Sequence, residues 1–220
     1  KEQAKVPLLA GTNSEEQGAR SILGASEPTP ENFANAVKKL FGDRAADVLK
    51  VYPATTSEEV LQAATDLASA RFISHSTWKW TELHMQTGGK PVYRYFYTRI
   101  RPPYLGMPGQ QPPAATPGRG GPPAAPRGAA HSAEIQYAMG NLDLDKRYKW
   151  EPADYKVSEI MQGYFVNFIK SGDPNGPGLP KWPTYDSKTG YQRMRIDVEP
   201  KAEPEPDRAR YLLLDELLPK

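Results

Sequence analysis

The chain has no cysteine, and only three histidines among 220 residues. The first absence excludes disulfides and thiolate chemistry, and leaves the redox compartment undetermined. No apolar run approaches the roughly 20 residues of a membrane-spanning helix. The opening KEQAKVPLLAG also lacks the apolar core of a signal peptide. Charge of either sign is scarce in excess: 28 Lys and Arg against 26 Asp and Glu leave a formal +2. With no basic block, a phosphate-tracking surface and a nucleic-acid partner are not expected. No spacing of His and carboxylates matches a zinc site, and no residue pattern calls for a cofactor.

What is present is enough for a core. Hydrophobic residues make up 38% of the chain, and with 18 Gly the total nears the ordinary globular share of about 45–50%. The length allows one large domain or two small ones. VPLLAGT, residues 6–12, reads as a strand buried on both faces, a short apolar run ending in Gly. PVYRYFYTRI contains the strongest strand, aromatic and near-alternating from Val92 to Thr98, and YQRMRIDV a shorter one.

Helical patterns fill most of the rest. TPENFANAVKKLFG predicts a helix with Thr29 as N-cap, Pro30 at the first helical position and Gly42 as stop. RAADVLKVY is a shorter helix closed by Pro53, and TSEEVLQAATDLASARFISHSTWKWTELHMQTGG reads as two helices, capped by Ser57 and stopped at Gly88-Gly89. PADYKVSEIMQGYFVNFIKS, from Pro152, is an amphipathic helix ended by Gly172, and DRARYLLLDELL is a terminal helix. Residues 102–127 break every pattern: Pro, Gly and Ala dominate, so they predict a loop insertion with no core of its own. A helical crossover between VPLLAGT and VYRYFYT predicts parallel neighbours in an α/β fold. Strands this apolar need partners on both sides, so the sheet should continue beyond this chain.

Three segments together resemble one family. VPLLAGTNSEEQG is similar to the strand–Gly–x–Asn–x–acid–Glu–Gly segment of type-B carboxylesterases, which include cholinesterases and bacterial para-nitrobenzyl esterases. GAAHSAEIQYAMG resembles that family's histidine segment, and NFIKSGDPNGPGLPKWPTYD its GDPN…WP.Y signature. The likeness runs from Val6 to Leu218. It implies the C-terminal portion of an α/β-hydrolase sheet with covering helices, as a single carboxylesterase domain.

The resemblance also implies a Ser-Glu-His triad. His131 matches the general base and Glu16 the acid, in the order acid then His, each on a loop at the C-terminal end of a strand. Glu15 stays open as the alternative acid, because the family's Gly after the acid is Gln17 here and Gly18 comes one step later. Otherwise Glu15 reads as part of a solvated acidic pair at a helix start. Glu134 matches a family position with a loop-orienting role. His75 and His84 read as helix histidines, and Phe72, Trp78 and Trp80 as core aromatics more than pocket ones, although the resemblance implies that helices of this kind cover the acyl site.

No serine here sits in a G-x-S-x-G elbow, and no Gly-rich oxyanion loop is present. The resemblance therefore implies an N-terminal part of the same enzyme, on a separate or cleaved chain, that carries the nucleophile and acts with this one on a small ester. The alternative is a non-catalytic cholinesterase-like binding or adhesion module. An exported location is what the resemblance favours.

Overall fold

The computed structural model describes residues 3–106 and 126–218. Four strands form one mixed sheet in chain order: Leu8–Asn13 (β1), Val92–Tyr97 (β2), Gln192–Ile196 (β3) and Lys201–Pro204 (β4). β1 and β2 pair in parallel with Leu8 opposite Val92 and Asn13 opposite Tyr97, as the long crossover predicts. β2 and β3 are also parallel, and β3 and β4 antiparallel. Among the described residues β1 pairs with β2 alone.

Alternation along β2 separates the two faces. Val92 packs with Leu8 and Ala10 against one helical layer, which holds Phe33, Val37, Val48, Val60, Leu67, Trp78 and Leu214. Tyr93 and Tyr97 turn the other way, onto Tyr137, Met161, Tyr164 and Trp182. Arg20–Leu23 (α1), Pro30–Phe41 (α2), Ala45–Val51 (α3), Ser57–Ser69 (α4) and His75–Gly88 (α5) build the first layer with Arg208–Leu217 (α8). Ile135–Met139 (α6) and Pro152–Ser171 (α7) build the second. β1 and β2 approach closely at Gly11, where a Cβ would stand 2.3 Å from the Tyr95 ring, so only glycine fits.

Local signals place most helix ends. Thr29 caps α2 by accepting from the Asn32 amide at 3.2 Å, and Gly172 ends α7 at φ 77°. Two expectations need correction. The cap of α4 is Thr56, not Ser57: Thr56 Oγ1 accepts from the Glu59 amide while Glu59 accepts from the Thr56 amide, both at 3.2 Å. That is a capping box, and its spacing runs from Thr56 to Glu59. The two predicted helices α4 and α5 also run on without a break, joined by a π-helical turn at Ala70–Ser74.

The sheet has a fourth strand where three were expected. KAEP at β4 is polar, exposed at both ends of its run and closed by Pro, the composition of an edge strand. The GDPN…WP.Y stretch is architectural. Asp173 accepts from the backbone and side-chain N–H groups of Asn175, and Asn175 exchanges two hydrogen bonds with the Trp182 backbone. Trp182 is thereby set edge-on against Tyr93 and Tyr164, fully buried. Of the insertion at 102–127, residues 107–125 lie outside the described residues. Its start is anchored, with the Leu105 amide donating to Arg147 O at 2.7 Å and Tyr104 bridging to Tyr148.

A buried charge network joins α8 to the sheet. Arg94, on β2, and Arg193, on β3, both donate to Glu205, whose side chain is fully buried. Arg193 also reaches Asp207 at 3.0 Å, at the foot of α8. Removing one partner of a buried ion pair leaves an uncompensated charge and costs about 3–5 kcal/mol. Glu205→Ala is therefore expected to destabilise the complete protein by about that much. Denaturant unfolding monitored by tryptophan fluorescence checks it, and a change below about 1 kcal/mol would contradict it.

Candidate active site

β1 ends at Asn13, and six residues follow before α1 begins at Arg20. The loop that carries His131 follows β2 and the insertion, and returns to the same edge of the sheet. The Ser14 amide donates to Tyr97 O at 3.0 Å and the Glu15 amide to Ala129 O at 2.9 Å, so the parallel pairing continues past the strand ends. Glu15 and Ala130 form an isolated parallel bridge.

This puts Glu16 and His131 together across 115 residues of chain, with His131 Nδ1 2.6 Å from Glu16 Oε2. The carboxylate accepts, so Nδ1 is the donor in this contact and Nε2 faces away from Glu16. Glu16 Oε1 accepts from the Asn13 amide at 2.6 Å, and the Glu16 side chain is only 6% exposed. The imidazole is 48% exposed, so the pair has a buried acid and an accessible base. Gln17, in the place of the expected Gly, is tied by its backbone to the Ser69 hydroxyl at 3.2 Å.

The other acidic residues are not idle. Glu15 is half-buried and not at a helix start, since α1 begins at Arg20. Its Oε2 accepts from the Arg127 and Gly128 amides at 2.9 and 3.0 Å. Glu134 accepts from Asn13 Nδ2 at 2.5 Å, and the same amide group donates to Ala130 O at 2.7 Å. Arg101 Nη2 donates to Ser132 O and Ala133 O at 3.1 and 3.3 Å. Ser132 has φ 62°, a left-handed conformation sitting in the turn closed by the Ala133 amide on Ala130 O.

Sequence reasoning missed Phe72. It treated Phe72, Trp78 and Trp80 as core, which fits only Trp78; Phe72 and Trp80 are half exposed. Phe72 stands on the π turn with its ring edge-to-face with His131, centroids 5.1 Å apart, and walls one side of the imidazole. A π turn widens the helix locally and often marks a functional site. His84 is buried with Nε2 2.8 Å from Val6 O, and His75 packs on Trp78 with its pKa lowered by burial. Both are helix histidines outside the site. Among the described residues no cluster of His, Cys, Asp and Glu is arranged to hold a metal.

Comparison with known proteins places this geometry. The Carboxylesterase family model matches residues 1–212. The chain belongs to the Carboxylesterase family. Pyrethroid hydrolase Ces2e of Rattus norvegicus is 28% identical over 124 residues, 53% of this chain and 18% of that protein. Liver carboxylesterase 1 of Oryctolagus cuniculus is 33% identical over 111 residues, 50% of this chain and 17% of that protein. The aligned stretches thus take in less than a fifth of these relatives. Among solved structures, a PNB esterase superposes with a TM-score of 0.58 at 22% identity, covering 94% of this chain and 38% of that one. The fold is that of an α/β-hydrolase.

The loop's far side is clasped by Asp145, which takes hydrogen bonds from Gln136 on α6 and from Arg147 Nε and Nη2 at 2.7 and 2.6 Å. The Arg147 guanidinium holds the Asp145 carboxyl below the usual carboxylate range. A carboxyl whose pKa falls on folding adds stability above its unfolded value of about 3.9, and that stability is lost as pH drops through the folded value. The melting-temperature deficit of Asp145→Asn is therefore expected at neutral pH and should shrink below about pH 4. Parallel melts of both proteins from neutral to acid pH check this, and a deficit that grows on acidification would contradict it.

Proposed function

We propose that this carboxylesterase-family chain supplies the acid and the general base of a Ser-Glu-His hydrolase of carboxylic esters. The serine and the oxyanion hole come from another part of the same enzyme, N-terminal to the segment described here. The observation that carries this reading is the 2.6 Å contact between buried Glu16, just past β1, and accessible His131, on the loop bridged to that point.

The chemistry follows from the proton positions. As the serine Oγ attacks the ester carbonyl carbon, His131 Nε2 takes the hydroxyl proton. When the tetrahedral intermediate collapses, the imidazolium returns that proton to the departing alcohol oxygen and an acyl-serine remains. Water then attacks the acyl carbon with Nε2 again as base, and the carboxylic acid leaves as serine recovers its proton. Throughout, ionised Glu16 holds Nδ1–H and stabilises the imidazolium. Phe72 presents an apolar wall beside the imidazole, suited to a small or aryl ester group.

The unpaired edge of β1 among the described residues, with exposed Trp80 and Leu83 on neighbouring α5, is where the serine-bearing part would complete the sheet. With no G-x-S-x-G in the chain, residues 1–220 alone are expected to hydrolyse no p-nitrophenyl acetate. In the complete enzyme, His131→Ala is expected to lower kcat roughly 10⁴–10⁶-fold and to move the melting temperature little, since the ring is half exposed. Glu16→Gln should cost roughly 10⁴-fold, because the amide neither stabilises imidazolium nor fixes the same tautomer. Steady-state hydrolysis of p-nitrophenyl esters checks both. Undiminished turnover by His131→Ala would overturn the triad assignment, and a complete protein with no turnover at all would leave the binding module as the reading.

A further inference from the structure

Resting on that reading, we propose that Glu15 is a positioning residue: its carboxylate fastens the backbone of the His131 loop to the end of β1. Adjacent glutamates would then divide one task. Glu16 fixes the imidazole ring, and Glu15 fixes the chain that bears it.

The loop has little of its own to hold it. Residues 127–130 belong to no helix or strand. Three successive amides of this stretch find their acceptors on the two residues that follow β1. The Arg127 and Gly128 amides share Glu15 Oε2 at 2.9 and 3.0 Å, and the Ala129 amide donates to Ser14 Oγ at 2.8 Å. Bonds to an ionised acceptor are roughly twice as strong as neutral ones, so Glu15 is the strongest of these ties.

The fit is also tight. A Cβ on Gly128 would lie 2.5 Å from Ser14 Oγ, so the loop backbone lies directly on the end of β1. On its far side Arg101 draws in the carbonyls of Ser132 and Ala133. His131 thus stands between an anionic clamp on N–H groups and a cationic clamp on carbonyls. Releasing the first lets the imidazole drift from Glu16 and from the serine without touching either.

In the complete enzyme, Glu15→Ala is expected to lower kcat about 10²-fold while KM changes less than about threefold, the signature of misplacing a reacting group. Glu15→Gln keeps an oxygen that accepts both amides, and should restore kcat to within about fivefold of the native enzyme. Should the alanine variant not fold, Glu15→Asp withdraws the oxygen by one methylene, keeps the charge and is read in its place. Native kcat in Glu15→Ala would overturn the proposal. So would a glutamine variant as impaired as alanine, since its oxygen still accepts from both amides. His131→Ala in the same assay separates the two ideas: if it retains activity the triad fails, and if it alone is inactive only the clamp fails.

Discussion

Leu8–Asn13 and Val92–Tyr97 run side by side in the same direction, six residues against six. Everything at the site depends on that pairing. Parallel neighbours end at the same edge, so the loops that leave them emerge together however long the chain between them. Here the ladder continues past the strands, through the Ser14 and Glu15 amides. Glu16, just after β1, and His131, on the loop that pairs with the end of β1, are then brought within hydrogen-bond range by backbone geometry. Ligands of open α/β sheets gather at this carboxyl edge for the same reason.

The helical layers serve that edge from either face. Ser69, the last residue of α4, holds the Gln17 backbone, and the π turn beyond it turns Phe72 toward the imidazole. On the opposite face α6 begins four residues after His131, and it is anchored through Tyr137 and Gln136 to Asp154 and Asp145. The buried Arg94–Glu205–Arg193 network lies farther off and does different work. It locks β2, β3 and the foot of α8 into one unit. A strand that cannot shift keeps the loop after it in register.

Features set by neighbours along the chain were legible in the sequence, and features set by distant partners were not. Thr29, Pro30 and Gly42 announce α2 because capping is a contact between residues a few positions apart. Thr56 and Ser57 are both good caps, and the three-residue spacing to Glu59 decides between them. β4 carries no apolar alternation because an edge strand buries little. Its pairing partners are β3 residues such as Arg195, opposite Lys201. Phe72 looked like core because its partner, His131, lies 59 positions away in the sequence. That Glu16 and His131 would meet was legible through family motifs alone; composition and periodicity single out neither.

Glu15 shows why an acidic pair resists reading from sequence. Two adjacent carboxylates on a surface repel each other and stay hydrated, which is the ordinary expectation for such a dipeptide. Past the end of a strand, successive side chains diverge, and each finds different donors. Glu16 turns inward to a backbone amide and an imidazole. Glu15 turns to two amides of the facing loop. Each charge is met by N–H groups before it meets the other, so the two carboxylates are held apart on separate donors. The donors belong to a loop 112 residues downstream, and only the closed sheet edge delivers them.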